Sequence, residues 1–191
     1  MNTPRKFKRC QRFNDQGHAH ALTFSCFRQQ QFLVKERSCQ WLIEAISEAR
    51  EKHEFHLWAY VIMPEHVHLL IWPTVPDYSI SRILTSIKLP VTRRALAYVR
   101  QSALDFLPKM HDLQPNGKEA YRFWQRGGGY DRNITEPTTV WSEIEYFHAN
   151  PVRRKLCERP EDWKYSSAAT YAGQNGPITI DMQSLPRTKD G

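Results

Sequence analysis

The sequence predicts an α+β fold: a ferredoxin-like β-α-β-β-α-β arrangement whose antiparallel sheet carries helices on one face, with an additional helix near the C-terminal end. Three observations lead there. Stretches rich in β-formers alternate with stretches of helical apolar spacing in that order. Only a short turn at Pro64 and Glu65 separates the second and third strands, which makes them antiparallel neighbours. One helical stretch, EPTTVWSEIEYFHAN, is left over once the pattern is complete.

Residues 1–17 are basic and polar and read as an N-terminal arm. HALTFSCFRQQQFL, from His20, opens as a strand. In SCQWLIEAISEAREKH, residues Trp41, Leu42, Ile43, Ala45 and Ile46 recur at helical spacing, and Ser38 is placed to cap the N-terminus. EFHLWAYVIM and EHVHLLIWP are the next two strands. A second helix starts near Ser79 with Ile80, Ile83, Leu84 and Ile87 as its apolar stripe. Pro90 is expected to break or kink it before helicity resumes in VTRRALAYVRQ. EAYRFWQR reads as the fourth strand, and Gly127 to Gly129 as a flexible turn. The last helix opens at Glu136 and Pro137 and is expected to halt before Pro151. Beyond about Gly173 the chain is polar with scattered Pro and Gly. The expected organisation is an arm over 1–17, one domain over 18–173 and a poorly ordered tail over 174–191.

Charge narrows the partners. Lys and Arg outnumber Asp and Glu by 27 to 20 in 191 residues. Arg5, Lys6, Lys8, Arg9 and Arg12 cluster in an acid-free stretch; Arg82, Lys88, Arg93, Arg94 and Arg100 share a second; Arg153, Arg154 and Lys155 form a third. A basic excess interleaved with Trp, Tyr and Phe points to nucleic acid. Cys10, Cys26, Cys39 and Cys157 form no CxxC pair and read as reduced thiols of a cytosolic protein. No apolar run has the length of a membrane span. The nucleotide-binding glycine motifs and the Ser-His-Asp elbow are absent.

Two places carry chemistry. In YVIMPEHVHLLIWP, His66 and His68 are two apart on a strand, so both rings share a face with Val67 on the other. They are either ordinary histidines of a solvated face or half of a metal site. On the last helix, Val140, Ile144 and Phe147 can pack down, while Glu143, Tyr146 and Asn150 form a second stripe. Two imidazoles and an amide oxygen can hold a divalent cation with positions left for substrate. A phenol one helical turn from the amide can attack a phosphodiester and become a phosphotyrosine.

MPEHVHLLIWP resembles the His-hydrophobic-His (HUH) motif of single-tyrosine transposases. FWQRGGGYDRNI and IEYFHANPVRRKLCERPEDWKYSSAATY resemble the second half of that family, in its branch of REP-associated tyrosine transposases. The resemblance spans roughly residues 15–172. It implies His66, His68 and Asn150 as ligands of Mg²⁺ or Mn²⁺, and Tyr146 as the nucleophile that takes the 5′ phosphate and frees a 3′ hydroxyl. Single-stranded DNA hairpins formed by imperfect palindromes are the implied substrates, cut and rejoined by a monomer or a homodimer in the bacterial cytoplasm, at the nucleoid. Arg9, Arg12, Lys88, Arg93, Arg94, Arg126, Arg153 and Arg154 are the expected DNA contacts. Against relatives with bulkier residues at the turn, Gly127 to Gly129 are a departure that bears on how the nucleophile helix is placed.

Other residues compete for these roles. His18 and His20 form a second HxH outside the matching context; Tyr130, Tyr165 and Tyr171 are rival nucleophiles; Glu65 adjoins the histidines and is a candidate for metal or DNA contact. His148, two residues from Tyr146, is expected to point away and pack. The alternative function is a non-catalytic nucleic-acid-binding protein that stacks bases on sheet aromatics.

Overall fold

Residues 14–127 and 129–187 are described in the computed structural model. In chain order the elements are β1 (Ala19–Ser25), α1 (Glu36–His53), β2 (Phe55–Ile62), β3 (His66–Pro73), α2 (Ile80–Ser102), α3 (Leu107–Met110), β4 (His111–Leu113), β5 (Glu119–Tyr121), β6 (Tyr130–Ile134), α4 (Pro137–Arg153) and α5 (Ala168–Tyr171). The main sheet runs β2-β3-β1-β6, with antiparallel pairing throughout. With the small β4–β5 hairpin set aside, sheet strands and long helices up to β6 follow the order β-α-β-β-α-β.

Strand alternation splits the core into two layers. Leu22, Phe24, Leu57, Val67, Leu69 and Ile71 turn to one face and pack with α1 and α2. Ala21, Ala59, Val61 and Leu70 turn to the other, where Val140, Ile144 and Phe147 of α4 cover them. Helices α1 and α2 thus share a face, and the additional helix lies on the opposite one, with Trp163, Tyr171 and Leu185 of the C-terminal segment beside it.

Several local expectations need correction. Helix α1 begins two residues before Ser38, with Lys35 at the cap position; Ser38 is buried inside the first turn instead of capping it. Ser79 does cap α2, accepting from the Arg82 backbone N–H at 3.4 Å. Neither Pro90 nor Pro151 ends its helix: α2 and α4 run through them. A mid-helix proline costs about 3 kcal/mol. In α2 the buried stripe Ile83, Leu84, Ile87, Val91, Ala95 and Val99 continues across Pro90 and offsets that cost.

EAYRFWQR does not supply the fourth strand of the main sheet. Its first residues form β5 and pair with β4, while Phe123 and Trp124 enter the core beside Phe24. The edge strand is β6, which follows the glycines. Gly129 is no loose hinge: at φ +73°, a Cβ there would lie 2.0 Å from the Thr23 carbonyl oxygen. Only glycine permits this approach of the chain to β1.

Residues 174–187 do not form a poorly ordered tail. They run along the outer edge of β2, where the Leu57 N–H donates to Asp181 Oδ2 at 2.8 Å and the Asp181 N–H donates to the Leu57 carbonyl at 3.1 Å. Ile178 and Ile180 are buried, and the indoles of Trp58 and Trp141 donate to Ser184 Oγ and the Pro186 carbonyl. This covers an otherwise open sheet edge.

Candidate active site

Pairing with β1 and β2 sets the orientation of His66 and His68: Ser25 stands opposite His66, and Thr23 and Val61 flank His68. Both imidazoles lie on the α4 side of the sheet. Their Nε2 atoms are 3.0 Å apart, with the rings perpendicular. Each Nδ1 has its own partner: Glu65 Oε1 at 2.9 Å from His66 and Thr23 Oγ1 at 2.7 Å from His68. An ionised carboxylate only accepts, so His66 Nδ1 carries the proton and His66 Nε2 presents a bare lone pair. Burial pushes both imidazoles below their ordinary values, His68 to about 3 with His66 and Arg153 adding to the effect. Both rings are therefore neutral near pH 7, the form that binds a cation.

Glu65 closes the far side of His66. Its Oε1 also accepts from the Arg154 guanidinium at the end of α4, while Oε2 is buried without a hydrogen-bond partner. Burial raises this carboxyl, but the bonds from Arg154 and His66 outweigh it and hold the pKa below the usual carboxylate value. Glu65 therefore stays charged and links β3 to α4.

Helix α4 brings the second half. Ile144 and Phe147 anchor it, and Phe147 stacks on His68 with ring centroids 4.8 Å apart. Tyr146, the preceding residue on the helix, is 48% exposed and meets His68 edge-on, with ring centroids 6.1 Å apart. The Arg153 guanidinium sits 4.3 Å from the centre of the Tyr146 ring and donates to the Tyr146 carbonyl at 3.0 Å. Asn150, buried one turn on, donates its amide nitrogen to the same carbonyl at 3.0 Å, which leaves the amide oxygen as an acceptor. A cavity of about 400 Å³ opens beside these groups, lined by Ala21, Thr23, His68, Tyr130, Glu143, Tyr146 and Phe147. Among the described residues, no three of His, Cys, Asp and Glu are grouped to hold a metal ion. A cation at the two imidazoles would need oxygens from an amide, from water or from substrate.

Residues 15–105 match the family described as "Transposase IS200 like". Over that segment the chain is similar to the IS200-like transposases. The matched segment holds β1 to α2 and both histidines, and ends before α4. A Haemophilus influenzae protein named as a REP-associated tyrosine transposase is 25% identical over 142 residues, which cover 71% of this chain and 75% of the relative. A solved structure of a REP-associated tyrosine transposase bound to a REP hairpin is similar in fold, with TM-score 0.66 and 19% identity, covering 97% of each chain.

The rival residues separate clearly. His20 is locked in the core between Asp131 and Tyr78, at 2.9 and 2.8 Å. The Tyr171 hydroxyl donates to the Trp58 carbonyl. His148 turns away from Tyr146 and bonds Ser167 Oγ at 2.8 Å. Tyr130, by contrast, lines the same cavity as Tyr146. The basic residues also divide. Arg9 and Arg12 lie outside the described residues. Arg94 pairs with Glu44 across α1 and α2. Lys88 donates to the Gly127 carbonyl at 3.4 Å, and Arg93 and Arg126 are exposed. With Arg126, Lys88 lines a groove of about 540 Å³ between α2 and residues 121–127. Arg153 and Arg154 belong to the site itself. Thr23, which holds His68, gave no sign in the sequence, and Phe147 showed only as a packing residue, since their contact with His68 depends on which strand and which helix pack there.

Proposed function

We propose that this chain cleaves and rejoins single-stranded DNA at palindromic hairpins through a covalent bond to Tyr146. The observation that carries the reading is the convergence of His66 Nε2 and His68 Nε2 with the Tyr146 ring against His68. Two neutral imidazoles that present their Nε2 atoms to one point fit a divalent cation, Mg²⁺ or Mn²⁺, with the Asn150 amide oxygen as third ligand. A bound cation supplies Lewis-acid polarisation of the scissile phosphodiester.

The chain's own groups do the rest. Glu65 fixes the His66 tautomer and Thr23 the His68 ring. Tyr146 presents its phenol from a helix pinned by Phe147 and Arg154. As the phenolic oxygen bonds to phosphorus, the bond from phosphorus to the 3′ oxygen breaks; the phenol loses its proton and the departing 3′ oxygen gains one. Arg153, over the Tyr146 ring and bonded to its carbonyl, holds the tyrosine in place. The products are a 5′-phosphotyrosine and a free 3′ hydroxyl, and the reverse transesterification rejoins a strand without a nucleotide cofactor. Lys88, Arg93, Arg126 and Arg153 are the side chains to hold DNA phosphates. The REP hairpin bound by the similar solved structure supports hairpin DNA as the partner.

The test is a denaturing gel with Mn²⁺ and labelled single strands that span the palindromes beside this protein's gene. The expected result is a slow, protease-sensitive band that EDTA and His68→Ala abolish. Tight hairpin binding with no such band would favour the non-catalytic reading.

A further inference from the structure

A second aromatic stands beside Tyr146, and the chemistry above makes no use of it. Tyr130 opens β6 opposite Thr23 and is 58% exposed. With Tyr146 it lines the cavity of about 400 Å³, together with Ala21 and Thr23 of β1. An exposed tyrosine face accepts any nucleobase by stacking. Two such rings, from different elements on one cavity, make a slot suited to a flat aromatic guest.

The charged group of that cavity is the Glu143 carboxylate. It lies one turn before Tyr146 on the same side of α4, and its side chain is 16% exposed. Arg132 of β6 donates to Glu143 Oε1 at 2.7 Å, a strut from sheet to helix that fixes the carboxylate while Oε2 remains an acceptor. A carboxylate repels phosphate, so its place in a DNA site calls for a donor. Cytosine, adenine and guanine offer an exocyclic amino group, and thymine has none.

We propose that this cavity receives the nucleobase next to the phosphate presented to Tyr146, stacked on Tyr130, and that Glu143 selects a base bearing an exocyclic amino group over thymine. The inference rests on the reading of Tyr146 as nucleophile, and two arms keep them apart. In the first, labelled hairpin oligonucleotides with a randomised flanking single strand are bound to Tyr146→Phe protein in EDTA, and the bound fraction is sequenced. In the second, the same pool meets wild type with Mn²⁺ and the cleaved ends are sequenced. The expected result is one position, adjacent to the cut, where thymine is depleted roughly tenfold in both arms, the low end of side-chain discrimination at a base edge. Glu143→Gln, whose amide also donates, loses the depletion. Arg132→Gln breaks the strut but leaves the carboxylate, and keeps it. Tyr130→Ala weakens retention of all four bases alike. Thymine as frequent as the other bases in wild type would overturn the proposal. So would Arg132→Gln erasing the preference as fully as Glu143→Gln, which would leave Glu143 a strut alone. Cleavage absent with the binding preference intact would count against the nucleophile and support the slot.

Discussion

Thr23 and His68 face each other across the β1–β3 ladder, with Thr23 Oγ1 2.7 Å from His68 Nδ1. Gly129 comes so close to Thr23 that a Cβ there would lie 2.0 Å from the Thr23 carbonyl oxygen. The orientation of one imidazole therefore depends on a hydroxyl in a neighbouring strand, and that strand's position on a glycine far away in sequence.

Thr23→Val keeps the shape and removes the bond. Partners of this kind set the tautomer and aim of a ligating ring. Mn²⁺ affinity, followed by calorimetric titration, is expected to fall about tenfold with little change in Tm. Unchanged affinity would remove Thr23 from the site.

The first and last glycines of the turn should behave differently. Gly129→Ala combines a left-handed backbone with a clash on β1, and a loss of about 2–4 kcal/mol is expected in urea denaturation. Gly127 has φ +90° but open space around it, so Gly127→Ala should cost only about 1 kcal/mol. Equal costs would mean that contact with Thr23 is unimportant.

Acid should destabilise the metal-free protein. Burial pushes the His148 imidazole down to about 4. As pH falls below its unfolded value of about 6.5, the unfolded chain takes up a proton that the folded chain does not. Stability is thus full above that value and declines until the folded pKa is reached. Urea midpoints are expected to drop from pH 7.5 to 5, less steeply in His148→Gln; the same slope in both would contradict this.

Salt dependence separates the basic residues. Each phosphate contact contributes about 0.7–0.9 to the slope of log affinity against log salt. Arg93→Ala and Arg126→Ala are expected to lower the slope for hairpin DNA by that amount each, as measured by fluorescence anisotropy. Arg94→Ala should leave it unchanged, because Arg94 is turned to Glu44.

Much of this was legible in the sequence. The spacing of His66 and His68 placed both rings on one face because strand alternation is local. The stripe of Val140, Ile144 and Phe147 put Tyr146 off the packed face of its helix for the same reason. What failed depended on distant partners. EAYRFWQR has strand character, but alternation does not say which strand it joins. Pro90 and Pro151 are weak stops when a buried stripe continues past them. The polar stretch after Gly173 orders because Ile178, Ile180 and Asp181 find the free edge of β2. Thr23 entered the site only through the register of β1 with β3, and Tyr130, a rival nucleophile in the sequence, reached the cavity through the register of β1 with β6.

The most direct test of the central claim is to find which tyrosine carries the DNA. Wild-type protein reacted with a hairpin oligonucleotide and Mn²⁺ would be digested with nuclease and protease, and its peptides read by mass spectrometry. The expected result is a nucleotide on Tyr146, lost in Tyr146→Phe and in EDTA. A nucleotide on Tyr130, which lines the same cavity, or an adduct that persists in Tyr146→Phe, would contradict the assignment of Tyr146 as nucleophile.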